Sequence, residues 1–192
     1  MACYPGCRTT RSSRARNWHS SRLAGFQRLA RLTASAARRG NLDPRAKATI
    51  RRWTRAAGQP ERDGIPATAL AAGQALVPRQ GRLPQRDFDL GRNLGRLSAE
   101  GAPPSVTAIL LTRGDRRTDW LHAGQALHRM LLHAASEWVF ASLYTQPLED
   151  PVTRVLVPGQ VGIPGYPQMI LQFGRAKTAA STARRSPDEL SS

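Results

Sequence analysis

Several things are scarce in this chain. Of its 192 residues only two are cysteine, Cys3 and Cys7, too few for a disulfide scaffold, which points to a reducing cytoplasm. They lie four apart with no nearby histidine or third cysteine to complete a tetrahedral zinc site, and read as a bland exposed pair. No window offers the roughly 18 consecutive apolar residues of a membrane helix. The first residues lack the charged, apolar, small-residue order of a secretory signal. Acids number 13 against 29 Lys+Arg, and carboxylates so few and scattered nominate no general acid–base pair. Missing too are a Gly-x-Ser-x-Gly elbow, a Walker loop, and a Gly-x-Gly-x-x-Gly after a strand. The four histidines, His19, His122, His128 and His133, make no metal motif. His128 and His133 stand about 140° apart around a helix, while His122 and His133 share a face about 16 Å apart along it. They read as a solvated helix face.

What is present is enough for one domain with a modest core: 40% of residues are hydrophobic and 6% aromatic, so wholesale disorder is excluded. The formal charge is +16, and a nucleic-acid partner is the first inference from such a balance. The excess is localised. Residues 1–60 hold 14 basic groups and one acid, Asp43, whereas residues 101–192 hold 9 and 7. Only Lys47 and Lys177 among the bases are lysine. Arginine so far ahead of lysine in an Ala- and Gly-rich chain fits codon composition as well as selection for phosphate contacts, and both readings stand.

Residues 1–21 show no hydrophobic period and read as a flexible basic arm. From Ser21 to Arg39 a helical stripe runs through Leu23, Phe26, Leu29 (or Ala30), Thr33 and Ala37, and Gly40-Asn41 ends it. A second helix is expected after Asp43-Pro44, with Asp as N-cap and Pro in the first turn, through Ile50 to Trp53. Residues 56–104 are broken by Gly and Pro throughout and read as a long crossing segment, of the kind that wraps a partner. Val106–Thr112 is a short apolar, β-branched run and reads as a buried strand. A long helix follows from Thr118 or Asp119, its expected core face being Trp120, Gly124, Leu127, Leu131, Ala134 and Trp138, in steps of four and three. A Gly/Pro loop from Pro158 to Pro167 leads to a second buried strand, Gln168–Gly174, and a polar tail from Arg175. Strand, long helix and strand predict a sheet covered by helices, an α+β fold. In the tail, the adjacent guanidiniums of Arg184 and Arg185 are able to grip a phosphate bidentately; the other reading is a solvated tail.

Several segments, in order, carry a resemblance. They are Ala48–Thr54 (ATIRRWT), Asp63–Ala67 (DGIPA), Arg86–Asp89 (RDFD), Asp119–Leu127 (DWLHAGQAL) leading to Leu131-Leu132, Thr145–Glu149 (TQPLE), and Pro167–Gly174 (PQMILQFG). Together they resemble the C-terminal half of the actinobacterial Acg-type family within the nitroreductase-like flavoproteins, over roughly Arg22 to Leu190. The resemblance implies a nitroreductase-like α+β sheet wrapped by helices, in an incomplete half unit. It also implies bound FMN, NAD(P)H as hydride donor, and an FMN site at a two-subunit interface. The expected partner is a second copy of the chain or a missing N-terminal half. A C-terminal arginine holds the FMN phosphate in such proteins, and the matching positions are Arg184 and Arg185. The activity implied is that of an FMN-dependent nitroreductase-type oxidoreductase or a truncated remnant of one. The alternatives are flavin storage without turnover and a basic nucleic-acid-binding module. One departure stands out. At the end of the long helix the family has Gly before an apolar residue, where this chain has Trp138-Val139. Trp lacks the close backbone approach of Gly, and Trp138 continues the expected apolar face.

Overall fold

A computed structural model describes residues 17–20, 23–56, 59, 63–67, 81–92, 94, 106–175 and 187–188. Cys3 and Cys7 lie outside them, as do Arg184 and Arg185. The first element is a strand, β1 (Asn17–Ser20), paired antiparallel with the later strand over 106–112. The end of the expected basic arm is therefore part of the sheet. Four residues carry too short a pattern to announce a strand, and its backbone partners come from far along the chain.

Helix α1 (Leu23–Leu42) runs three residues past the expected stop, through Gly40 and Asn41. Gly40 costs a helix interior only about 1 kcal/mol, and the residues before it are anchored: Leu29, Ala30, Thr33 and Ala37 are buried, as the stripe predicts, and Phe26 packs against the same core. The hydroxyl of Thr33 donates to the Leu29 carbonyl at 2.9 Å, so its burial leaves no orphan polar group. Helix α2 (Pro44–Trp53) occupies the predicted span. Asp43 caps it by accepting from the Arg45 amide at 2.9 Å. The described parts of the crossing segment carry β2 (Thr54–Arg55) and β3 (Ile65–Pro66), a short parallel pair.

Strand β4 (Val106–Thr112) coincides with the predicted run. Helix α3 (Arg117–Ser136) follows, then β5 (Val139–Tyr144), which the sequence reading did not anticipate. A four-residue helix, α4 (Gln146–Glu149), leads into α5 (Pro151–Val161). Pro158 and Gly159, read as loop, sit instead in the last turn of α5, and Gly162 at φ +71 closes it by donating to the Pro158 carbonyl at 2.9 Å. Strand β6 (Tyr166–Arg175) contains the whole predicted second strand.

The main sheet has the order β1-β4-β6-β5, every neighbour antiparallel, with a bulge where Leu110 pairs with Met169 and Leu111 with Pro167. The fold is α+β, helices lying on both faces. Ile109, Leu111, Ile170 and Tyr144 join Leu29 of α1, Leu148 of α4 and Val157 of α5 in one core cluster. Strand alternation sends Ala108, Leu110 and Leu171 to the other face, where α3 packs on β4 and β5. Burial on both faces explains why Ala108–Leu111 is continuously apolar rather than alternating.

Gln172 fastens the crossing segment to this framework. Its buried amide accepts from the Leu83 amide at 2.9 Å and from the Tyr144 hydroxyl at 3.0 Å, and donates to the Gly81 carbonyl at 2.8 Å and Thr107 Oγ1 at 2.9 Å. Every capacity of the side chain is used. Leu83 is thereby held in the core cluster.

Candidate functional site

The sequence points to α3 as the element that meets a cofactor or partner. The loop before it is built tightly. Asp115 accepts from the Trp120 indole at 2.6 Å, from Arg154 at 2.7 Å and from Gln168 at 3.2 Å. One carboxylate thus ties the start of α3 to α5 and β6. The Trp120 hydrogen bond is the largest influence holding the Asp115 carboxyl below its ordinary value, with Gln168 and Arg154 adding to it against some desolvation. Gln168 also donates to Thr112 Oγ1 at 2.8 Å. A Cβ on Gly165, at φ +88, would meet the Thr112 carbonyl oxygen at 2.5 Å, so this corner requires glycine.

Which face α3 buries corrects the sequence reading. The residues of α3 that are buried are Ala123 and Ala126, about a quarter turn from the centre of the expected Trp120–Leu127–Leu131 stripe. Two alanines in the contact let the helix lie close to β4 and β5. Leu127, Leu131 and Ala134 fall at the margin and are half-buried. Trp120 is 49% exposed, Leu121 64% and Leu132 61%. A Cβ on Gly124 would have no atom within 4 Å. The helix therefore carries apolar residues over a wider arc than the sheet covers. The signal was in the sequence: Leu121 and Leu132 lie outside the four-three stripe and widen the apolar arc beyond what one neighbour accounts for.

The end of α3 differs from expectation too. The helix stops at Ser136, so Trp138 continues no helical face. It sits at φ +54, the left-handed region that glycine favours. Its ring is 63% exposed and meets Phe140 edge-on at a centroid distance of 6.0 Å. The family pattern's glycine thus falls on a position whose backbone here is of the glycine type, occupied by Trp.

His122, His128 and His133 are exposed on α3. Among the described residues no group of three or more His, Cys, Asp or Glu is placed to hold a metal ion, and no helix is long and apolar enough to cross a membrane. Arg184 and Arg185, the expected phosphate contacts, lie outside the described residues. No family model matches the chain, and no curated protein matches it.

Proposed function

We propose that the chain is one half of a nitroreductase-type flavoprotein, an FMN-dependent NAD(P)H oxidoreductase unit of the reducing cytoplasm whose flavin site is completed when a partner covers the outer face of α3. The observation that carries this reading is the long helix itself. It is apolar over two adjacent faces, one packed on an antiparallel sheet and one, with Trp120, Leu121 and Leu132, open. Exposed apolar arcs of this kind mark interaction surfaces. The partner proposed is a second copy of the chain.

The described residues of a single chain do not fit FMN by themselves. The cavity of about 310 Å³ between α1, α2 and the α4–α5 corner carries Asp43, Glu149 and Asp150, the wrong sign for a phosphate dianion. The face of α3 is open on one side. A single chain is therefore expected to be colourless, flavin uptake requiring association. Flavin storage without turnover shares this requirement and differs only in what NADPH does afterwards.

The test joins size to colour. Gel filtration and FMN titration of the purified chain are expected to show a dimer that takes up FMN and is bleached by NADPH. Leu121→Lys with Leu132→Lys is expected to give a folded monomer that binds none. A chain that remains monomeric and takes up no FMN at any concentration overturns the reading. FMN uptake without reduction by NADPH leaves the storage version.

A second reading is favoured by one observation, the arginines of the first two helices. Arg28, Arg31 and Arg38 are exposed on one side of α1, and Arg45, Arg51 and Arg52 on α2. Asp43 is the one acid between Leu23 and Trp53. Nucleic-acid binding through four of these predicts a log affinity falling with log salt at a slope of about −4. Replacing Arg28, Arg31 and Arg38 by Ala should flatten that slope by about 3. A chain that retains no duplex at low salt sinks this alternative.

A further inference from the structure

The cavity between the end of α1, the start of α2 and the α4–α5 corner is a site of a different kind. At about 310 Å³ it lies in the range of small-ligand pockets, roughly 300–1,000 Å³. At the share of liquid volume one water takes, it has room for about ten non-hydrogen atoms. One wall is apolar, from Ala37, Ala46 and Ile50.

The polar lining has two features. First, the side chain of Gln146 is only 8% exposed and lines the cavity, yet among the described residues its amide makes no hydrogen bond. Buried amides are almost always satisfied, and leaving one unmade costs about 1–3 kcal/mol. An orphan donor and acceptor facing an enclosed space point to a ligand that supplies the missing partners.

Second, the lining mixes both charges. Arg39 donates through Nε to Asp150 at 2.5 Å and through Nη1 to Ser35 at 2.8 Å, and Arg86 donates through Nη2 to Glu149. Each guanidinium has five N–H donors, so Arg39 keeps Nη2 and Arg86 keeps Nε and Nη1 free of partners among the described residues. Asp150 is occupied on both oxygens, by Arg39 on one and by the amides of Val152 and Thr153 on the other. Asp43 uses one oxygen to cap α2, which leaves the second for a ligand. Three carboxylates, those of Asp43, Glu149 and Asp150, face two guanidiniums, a small excess of negative charge that favours an ammonium group. The spare guanidinium donors favour a carboxylate.

We propose that this cavity binds a free α-amino acid of about ten non-hydrogen atoms as its zwitterion. The ammonium is held at Asp43, the carboxylate by the spare N–H groups of Arg39 and Arg86, and the Gln146 amide bonds a polar side-chain group. Both charges and the amide are used at once, which no simple anion or cation does. The site shares no residue with the outer face of α3.

The probes are the free L-amino acids, glutamine first, each paired with its N-acetyl and carboxamide derivatives. Calorimetric titration and thermal unfolding of the full chain are expected to show binding by the free amino acid. The derivatives, each lacking one charge, are expected to bind at least tenfold more weakly. Gln146→Met, which keeps the volume and removes the amide, should lose tenfold or more in affinity while the unliganded protein melts at the same or a higher temperature. Asp43→Asn, which still caps α2, should bind several-fold more weakly. The proposal is overturned if no free amino acid binds at millimolar concentration. It fails equally if a derivative binds as tightly as its parent, or if Gln146→Met binds as the wild type does. Early melting of unliganded Gln146→Met also overturns it, because the amide would then be bonded in the free protein.

Discussion

Trp138 holds its backbone at φ +54 with most of its ring in solvent. A left-handed non-glycine residue costs about 1–2 kcal/mol, and the edge contact with Phe140 returns about 0.5–1.5 kcal/mol. Trp138→Gly removes both, so its stability in denaturant unfolding is expected to hold or rise by up to about 1 kcal/mol. Trp138→Ala keeps the strain and loses the contact, and is expected to fall below the glycine variant by about 1 kcal/mol. An alanine variant at least as stable as the glycine variant would rule out backbone strain at this position. Tyr144 argues at the same scale. Burial pushes its phenol above the ordinary 10.0, against smaller opposing influences from Gln85, Arg82 and Ser142. The folded state holds the proton more tightly than the unfolded one, so this stabilisation is present below pH 10 and is lost as pH rises through the raised value. Tyr144→Phe is expected to cost about 1 kcal/mol at neutral pH, through the hydrogen bond to Gln172, and to flatten the alkaline fall in melting temperature.

At the scale of elements, caps and buried runs were legible and faces were not. Asp43-Pro44 announced α2 to the residue because the cap and the restricted φ of proline are local chemistry. Val106–Thr112 was legible because a sheet covered on both faces demands an uninterrupted apolar run. The face of α3 was not, since spacing defines a stripe but not which side of it finds a neighbour. Strand β1 depends on the free edge of β4. Strand β5 starts one residue after Trp138, whose place in the four-three series disguised the end of the helix. The α5 N-terminus carries its own prediction. The hydrogen bond from Arg39 is the largest influence keeping the Asp150 carboxyl below its ordinary value, with the Thr153 and Val152 amides adding to it. Asp150→Ala removes the cap as well as the ion pair and is expected to cost about 1–2 kcal/mol. Asp150→Asn retains the cap and should cost less, and equal losses would show that the cap contributes nothing.

For the whole molecule, the candidate site was less legible than the fold. Arg184 and Arg185 fall outside the described residues. The amino-acid cavity draws on α1, α2, the segment at Arg86 and the α4–α5 corner, pieces that only the folded chain brings together, so no spacing in the sequence marks it. Acid stability is a property of the same scale. Asp115, Glu149 and Asp150 all have lowered carboxyl values; for Glu149 burial pushes upward, but Thr145 and Arg86 outweigh it. Lowered values mean that the unfolded chain takes up protons first as pH falls. The stabilisation is complete above the ordinary values of 4.5 for Glu and 3.8 for Asp, and is lost as pH drops through the lower folded-state values. Melting temperature is therefore expected to be flat from pH 7 to about 5 and to decline below that. A melting temperature that rises on acidification would contradict these assignments.

Strand β6 lies between β4 and β5, although it is the latest of the four to be synthesised. Until residues 166–175 have left the ribosome, β4 and β5 have nothing to pair with on their inner sides, and the fully apolar stretch of β4 waits with at most β1 beside it. A nascent chain stalled before Tyr166 would expose that stretch to chaperones and to neighbouring nascent chains, and completion of translation would act as the step that closes the fold.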